Sequence, residues 1–212
     1  MKTLYSSCFF AMCLLLTVCH ADQATAQVSP TATAQQAPAA ATRTSHAILK
    51  LPNRFTAYTS ESIDKHRLCV VGTITDEDSM NQKPVVYVAE ATSKRVLWMT
   101  RLDLPADMYQ SRATHCTRHG NALFVLLQSD TQSEQTLSQT LLRVVRLDAE
   151  SGTVQLQRDV DVPTAYSAWV DEGSIHFQWN GDRLVITGND KPDSDHDRHA
   201  IFTVKLNDDL KL

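Results

Sequence analysis

Two stretches of this chain, Tyr87–Pro105 and Val145–Pro163, are copies of one another. The first reads YVAEATSKRVLWMTRLDLP and the second reads VRLDAESGTVQLQRDVDVP, and they align without a gap at an offset of 58 residues. Both copies end in an apolar, an acidic and a second apolar residue followed by proline. Internal similarity over this length indicates a fold built from successive copies of one supersecondary unit.

Partial copies flank this pair. Leu49–Pro52 repeats the ending as LKLP, and Val204–Asp208 repeats the opening in part. Short apolar runs follow each proline after a polar stretch, at 68–71, 123–127 and 184–186. Runs of this length, rich in β-branched residues and bounded by polar segments, predict buried strands.

The turns inside the two copies predict hairpins. One reads Ala91-Thr92-Ser93-Lys94 and the other Ala149-Glu150-Ser151-Gly152. Ser151 can bond the local backbone, and Gly152 tolerates a positive φ. Each unit is therefore predicted to be a set of three or four antiparallel strands, and no segment predicts a long amphipathic helix.

The stretches Leu147–Val154 (LDAESGTV) and Ala91–Trp98 (ATSKRVLW) carry a family resemblance. A unit of about 50 to 60 residues with a strand, a hairpin and a strand around such a turn resembles the blade of a β-propeller, in the quinoprotein or WD40-like class. The resemblance covers most of residues 45–212. It implies an all-β fold of about three antiparallel sheet repeats.

The chain also departs from that class. No copy carries the Gly-His or Trp-Asp signature of a WD40 blade, and the cofactor pattern of a quinoprotein cannot be placed on any residue. Three units are also fewer than the roughly four to eight blades of closed propellers. The resemblance therefore carries over neither an activity nor a cofactor.

The first 21 residues predict a signal peptide. Lys2 precedes an apolar run of 11 residues, Cys8–Val18, which is too short to span a bilayer. Cleavage is expected after Ala21 or Ala26, where small residues stand at the required positions. The alternative is lipidation at Cys19, whose preceding residues match a bacterial lipobox only in part. The chain is thus predicted to be exported, and to be periplasmic, tethered to the outer membrane or secreted.

Composition divides the rest of the chain. Residues 22–44 are mostly Ala, Thr, Gln, Pro and Ser and predict a disordered linker. Residues 45–212 are long enough for one folded domain. With 20 Lys plus Arg against 24 Asp plus Glu and no basic stretch interleaved with aromatics, nucleic acid is not an expected partner.

The cysteines predict one disulfide. Three of the five lie in the signal region, so Cys69 and Cys116 are the only pair in the predicted domain. In an oxidising compartment this pair is expected to be bonded, and the alternative is two separate buried thiols.

Motifs for the common enzyme classes are missing from the sequence, including G-x-S-x-G, the Walker loop, H-E-x-x-H and the dinucleotide glycine fingerprint. His115 and His119 lie four residues apart, but their segment leads into a strand, so surface or capping histidines are expected. No catalytic residue and no cofactor are predicted.

A second candidate for ligand chemistry is the run Asp193, Asp195 and Asp197, which imitates the start of a calcium loop. Arg198 stands where that loop needs glycine, and Lys205 stands where it needs glutamate. A solvated hairpin tip is therefore expected, with weak cation binding as the alternative.

Five aromatic residues are the candidates for a binding face: Phe55, Tyr58, Tyr109, Tyr166 and Trp169. Phe55 and Tyr166 lie three residues after their prolines, with Met108 in that place in the middle unit, and Tyr58 and Trp169 lie six after. Positions fixed by a repeat usually serve the core between units, which is the competing interpretation. Trp98 and Trp179 are expected to be core or half-buried strand residues.

Export, linker and repeats together favour a non-enzymatic protein-binding module of the cell envelope, such as an assembly factor or an inhibitor or immunity-type protein. Its acidic loops would suit a basic partner. The alternative is a propeller-like enzyme or a carbohydrate-binding module. Its clustered candidate residues would be His115, His119, Asp195 and His196.

The ends of the repeat array predict how it is closed. Unpaired strand edges are a liability that proteins cover or pair. We expect residues 46–51 to pair with the last unit near 201–206, which would close a monomer. The rival arrangement is a dimer that forms a ring of six units.

Overall fold

The computed structural model describes residues 49–131, 138–192, 194–195 and 197–212. The predicted signal peptide, Cys19 and the linker lie outside these residues.

The fold is all-β, with three antiparallel sheets of four strands each, which confirms the predicted class. The first sheet contains β1 (Phe55–Ser62), β2 (Arg67–Ile74), β3 (Lys83–Glu90) and β4 (Val96–Arg101). The second contains β5 (Met108–His119), β6 (Ala122–Thr131), β7 (Thr140–Asp148) and β8 (Val154–Asp159). The third contains β9 (Ala165–Trp169), β10 (Phe177–Asn180), β11 (Arg183–Pro192) and β12 (Ala200–Leu206), with one turn of 3-10 helix, Ser174–His176, between β9 and β10.

The sequence repeat corresponds to the β3–β4 hairpin of the first sheet and the β7–β8 hairpin of the second. A β-bulge interrupts the register after Val88 in one hairpin and after Arg146 in the other, at matching repeat positions. The turn residue with positive φ also matches: Lys94 has φ 59° and Gly152 has φ 71°. The repeat therefore encodes backbone conformation as well as apolar pattern.

The second sheet lies between the other two. Along β6, Leu123, Val125 and Leu127 pack in a core with the first sheet. Phe124 and Leu126 point to the opposite side and pack in a core with the third sheet. Successive side chains of a strand face opposite sides, so an uninterrupted apolar strand is required where both faces are covered.

A disulfide and a buried hydrogen bond are among the contacts that fasten the first sheet to the second. Cys69 in β2 and Cys116 in β5 form the predicted disulfide and are 0% and 3% exposed. Trp98 in β4 is buried as expected, and its indole Nε1 donates a hydrogen bond to the carbonyl oxygen of Ala149, 3.1 Å away.

The third sheet differs from the others in its first strand, which is split. Both β9 and β10 pair with β11, β9 near residues 189–192 and β10 along residues 183–186. Residues 170–176 form the break between them. Among the described residues, β12 pairs with β11 alone.

The predicted closing strand is not formed in its described part. Residues 49–51 belong to no strand and do not pair with β12, while residues 46–48 lie outside the described residues. Comparison with the other copies of this motif explains why the predicted strand is wrong. The matching segments Leu102–Pro105 and Val160–Pro163 follow the ends of β4 and β8, so this motif is a linker between sheets and not a strand.

Candidate binding cleft

A cleft of about 540 Å³ opens between the second and third sheets. One wall comes from the start of β7 and the residues before it, and the other comes from β9, the end of β11 and the connection to β12. The lining residues are Ser138, Thr140, Tyr166, Ser167, Trp169, Lys191, Asp197 and His199. We call this the binding cleft. It brings together two of the predicted aromatics, Tyr166 and Trp169, with Asp197 of the aspartate run.

A β-bulge helps to set the direction of Tyr166. In the pairing of β9 with β11, Ser167 is opposite Lys191 and Ala165 is opposite Pro192, so Tyr166 is the extra residue. A bulge re-aims the side chain of its extra residue. This accounts for the presence of Tyr166 beside Ser167 and Trp169 in one cleft, although neighbouring residues of a regular strand face opposite sides.

The first strands of the other two sheets carry the same device. Tyr109 is the extra residue where β5 pairs with β6, and Tyr58 is the extra residue where β1 pairs with β2. Tyr109 lines a second cleft, of about 410 Å³, together with Lys83 at the start of β3. Each of the two clefts thus combines a bulge tyrosine with residues from the sheet before it.

The binding cleft offers aromatic, hydroxyl and charged groups. The rings of Trp169 and His199 meet edge to face with centroids 5.4 Å apart. Lys191 and Asp197 add one group of each charge. Aromatic rings beside polar groups can hold a peptide side chain or the face of a sugar, while the polar groups orient it.

The wall of the cleft is tied to the second sheet by hydrogen bonds. The backbone N–H of Thr140 donates to the hydroxyl oxygen of Ser167, 2.9 Å away. The hydroxyl of Thr140 in turn donates to Asp130, 2.8 Å away. Asp130 also accepts two hydrogen bonds from Arg112, at 2.8 and 3.2 Å. Paired arginine–carboxylate bonds are geometrically specific, so this edge of the cleft is held in one arrangement.

A buried polar network fixes the chain where β9 ends. The side-chain amide of Gln128 donates to the carbonyl oxygen of Val170 at 3.0 Å, and its oxygen accepts from the N–H of Val170 at 3.1 Å. The ring of His115 bonds the carbonyl oxygen of Asp171 and the hydroxyl of Thr114, both at 3.0 Å. The break in the first strand of the third sheet is therefore anchored to the second sheet.

His115 should make the fold sensitive to mild acid. Its ring is 2% exposed, and burial, with a smaller effect from nearby His176, lowers its pKa below the ordinary value. A lowered pKa means that the unfolded chain binds the proton more tightly. The stability contributed by neutral His115 is complete above a pH of about 6.5 and is lost as the pH falls toward the lowered pKa.

We therefore compare the melting temperature at about pH 7.5 with that at about pH 5.5. The decrease in melting temperature between these two pH values should be larger in the native chain than in His115→Gln, whose side chain does not titrate. His66→Gln is the control because His66 is exposed. An equal drop in the native chain and in His115→Gln would show that His115 is not the sensitive group.

The histidines expected at the surface are placed differently. His115 is buried against Phe177, so the prediction of a surface residue is wrong for it. His119 stacks on Trp179 with ring centroids 4.0 Å apart. His196 lies outside the described residues, and Asp195 lies in the β11–β12 connection, where its carboxylate accepts the backbone N–H of Asp197.

The aspartate run is described only in part, because Asp193 is outside the described residues. Across the described ranges, no group of three His, Cys, Asp or Glu residues is placed to hold a metal ion. The two described aspartates, Asp195 and Asp197, form a turn, and Asp197 lines the binding cleft.

The five predicted aromatics lie on the first strands of three different sheets, and Tyr166 and Trp169 share the binding cleft. The ring centroids of Phe55 and Tyr87 lie 5.5 Å apart within the first sheet, and Tyr58 is 38% exposed.

The repeat positions counted from the prolines were wrong for the middle unit. Asp107 and Thr164 both have positive φ and directly precede equivalent strands, β5 and β9. Tyr109, and not Met108, is therefore the counterpart of Tyr166.

Comparison with protein-family models, with curated proteins and with solved structures finds no match to this chain. In the part of the chain that the structure describes, no helix has the length and apolar composition needed to cross a membrane.

Proposed function

We propose that this protein is an exported binding module of the cell envelope that holds another protein through the cleft between its second and third sheets. The observation that carries the proposal is the pair Tyr166 and Trp169, which line one cleft and are both half-buried. Tyrosine and tryptophan are enriched among the residues that contribute most to protein interfaces, because they offer large contact areas at low entropy cost.

Export is supported by the predicted signal peptide and by the disulfide. A bonded pair of cysteines persists in oxidising compartments and is rare in the cytosol. The arrangement of three four-stranded sheets linked in series is compatible with the propeller-like class suggested by the turn sequences. An assembly factor or an inhibitor or immunity-type protein fits these features.

Truncating both cleft aromatics should abolish most of the partner binding. The native chain and the variant Tyr166→Ala/Trp169→Ala would each be immobilised and exposed to envelope extract at physiological salt, and bound proteins would be quantified by mass spectrometry. A partner retained by the native chain should bind the variant at least about thirtyfold more weakly, since a single central interface aromatic contributes on the order of 2 kcal/mol and the variant removes two.

The matched control is Tyr58→Ala, which removes a bulge tyrosine of the first sheet, far along the chain from the cleft. Its partner binding should equal that of the native chain. Equal retention by the cleft variant would remove the proposal, as would an empty capture by the native chain.

A carbohydrate-binding module is the second candidate, and one observation favours it. Trp169 and Tyr166 line the cleft beside Ser138, Thr140 and Ser167, so apolar faces adjoin several hydroxyl groups. Sugars present apolar ring faces and hydroxyls together, which such a cleft can match. Titration with envelope glycan fragments, followed by tryptophan fluorescence, tests this candidate. A saturable change in fluorescence that is lost in Trp169→Phe supports a carbohydrate-binding module. No change in the native chain removes this candidate.

A further inference from the structure

The second cleft, which Tyr109 lines, carries two positive charges from neighbouring strands of the first sheet. Lys83 begins β3 and Arg101 ends β4, and both residues are exposed and line the cleft. Arg101 is opposite Val85 across the two strands, so Lys83 and Arg101 are diagonal neighbours on one face. Diagonal neighbours of an antiparallel pair lie about 7 to 8 Å apart, within reach of long side chains. The two cations can therefore approach one anion together.

The equivalent residues of the second sheet neutralise each other. By the repeat offset of 58 residues, Arg101 corresponds to Asp159 and Val85 corresponds to Arg143. Arg143 and Asp159 face each other across β7 and β8 and form an ion pair at 2.6 Å. In the first sheet, the residue opposite Arg101 is the uncharged Val85. Among the described residues, neither Arg101 nor Lys83 forms an ion pair or a side-chain hydrogen bond, so their charges are left for a ligand.

The acidic side chain among the described lining residues, Asp76, is occupied within its own loop. Its carboxylate accepts the backbone N–H groups of Asp78 and Met80, at 3.2 and 2.8 Å, and the side-chain amide of Asn81. These bonds hold the carboxylate in the turn before β3. Asp76 therefore shapes one edge of the second cleft without pairing with either cation.

The rest of the lining suits the stem of an acidic side chain. Ile74 and Leu104 supply apolar surface, and the hydroxyl of Tyr109 can donate a hydrogen bond to an oxygen of the ligand. The backbone N–H of Ser111 donates to the carbonyl oxygen of Gln82, 2.9 Å away, and holds β5 beside the start of β3. A carboxylate on a methylene stem uses both the apolar and the charged parts of this lining, whereas an inorganic anion uses only the charged part.

We infer that the second cleft binds a glutamate or aspartate side chain of an acidic peptide segment. The guanidinium of Arg101 presents paired donors that match a carboxylate, and the ammonium of Lys83 adds a compact second charge. The site is built from the first sheet and β5, so it is separate from the binding cleft between the second and third sheets. The inference therefore does not depend on the proposed function.

Fluorescence anisotropy with a labelled, glutamate-rich peptide and the purified full chain tests the proposal at physiological salt. We expect saturable binding, which the matching glutamine-rich peptide should not show. Lys83→Gln/Arg101→Gln should weaken the binding at least about tenfold, because both charge-assisted contacts are lost. Arg101→Lys should retain part of the affinity, since it keeps the charge and loses the paired donors. All these variants should keep the native melting temperature, because both positions are exposed.

The matched control is Lys65→Gln/Lys205→Gln, which removes two positive charges from exposed positions outside the lining of the second cleft. This variant should bind the peptide as the native chain does. Absence of saturable binding to the native chain overturns the proposal. An equal loss in the two double variants also overturns it, because attraction to net charge would then explain the binding.

Inorganic phosphate distinguishes a peptide carboxylate from anions in general. Unlabelled peptide should displace the labelled peptide from the native chain, and phosphate at the same concentration should not. Equal displacement by phosphate would make the second cleft a general anion site and would overturn its assignment to an acidic peptide segment.

Discussion

Replacing both Cys69 and Cys116 by alanine is expected to lower the free energy of unfolding by about 4 kcal/mol. The two cysteines are 47 residues apart, so the disulfide closes a long loop in the unfolded chain and restricts its conformations. Both side chains lie in the core between the first two sheets, where the alanines remain compatible with the apolar surroundings. The loss is a large fraction of the stability of a typical domain.

Urea denaturation of the oxidised native chain and of the double variant measures this difference, provided that the slopes of the two transitions agree. The native chain with added reductant is the control and should approach the stability of the variant. Hydrogen exchange should place the increased opening at β2 and β5. A loss under about 1 kcal/mol, or two free thiols in the native chain by mass spectrometry, would contradict the expectation.

The features that the sequence predicted correctly are encoded locally. The hairpin of the repeat follows from apolar alternation and from a turn whose residue in the Gly152 position needs positive φ, which Lys94 also adopts. The disulfide followed from counting, because Cys69 and Cys116 are the only cysteines of the predicted domain, residues 45–212. Such signals do not depend on how the sheets pack.

The features that escaped prediction depend on packing between distant segments. One hydrogen-bond partner of His115 is the carbonyl oxygen of Asp171, 56 residues away, and Gln128 bonds Val170, which is 42 residues away. Nothing near His115 in the sequence identifies these partners, so its polar character suggested the surface. The segment between Pro105 and Asp107 is one residue longer than that between Pro163 and Thr164, so spacing counted from the prolines pairs Met108 with Tyr166 and misses Tyr109.

Trp98 belongs to the repeat and also packs against a distant segment. Its replacement by alanine should produce the second large loss of stability that we expect. The indole is 8% exposed, packs between the first two sheets and donates a hydrogen bond to Ala149. Trp98→Ala should cost about 3 to 5 kcal/mol, as for other large-to-small changes in cores. Trp98→Phe keeps most of the apolar volume and should cost about 1 kcal/mol for the hydrogen bond, with more if the ring packs poorly.

The control is Trp169→Ala, because Trp169 is half-buried in the cleft and should contribute little to folding. A cost similar to that of Trp98→Ala would show that the cleft wall is structural and would weaken its assignment as a binding surface.

The contact of Trp98 with Gly152 gives a sharper test of the same junction. A Cβ atom at Gly152 would overlap the indole ring of Trp98, in addition to the strain of a positive φ. Gly152→Ala should therefore destabilise the native chain by more than it destabilises Trp98→Ala, where the ring is absent and only the backbone strain and a close approach to the Thr100 hydroxyl, at 2.8 Å, remain. The difference between these two costs is the coupling energy in a double-mutant cycle. A coupling near zero would mean that the hairpin turn of the second sheet does not depend on Trp98, and that glycine stands at position 152 for its backbone conformation alone.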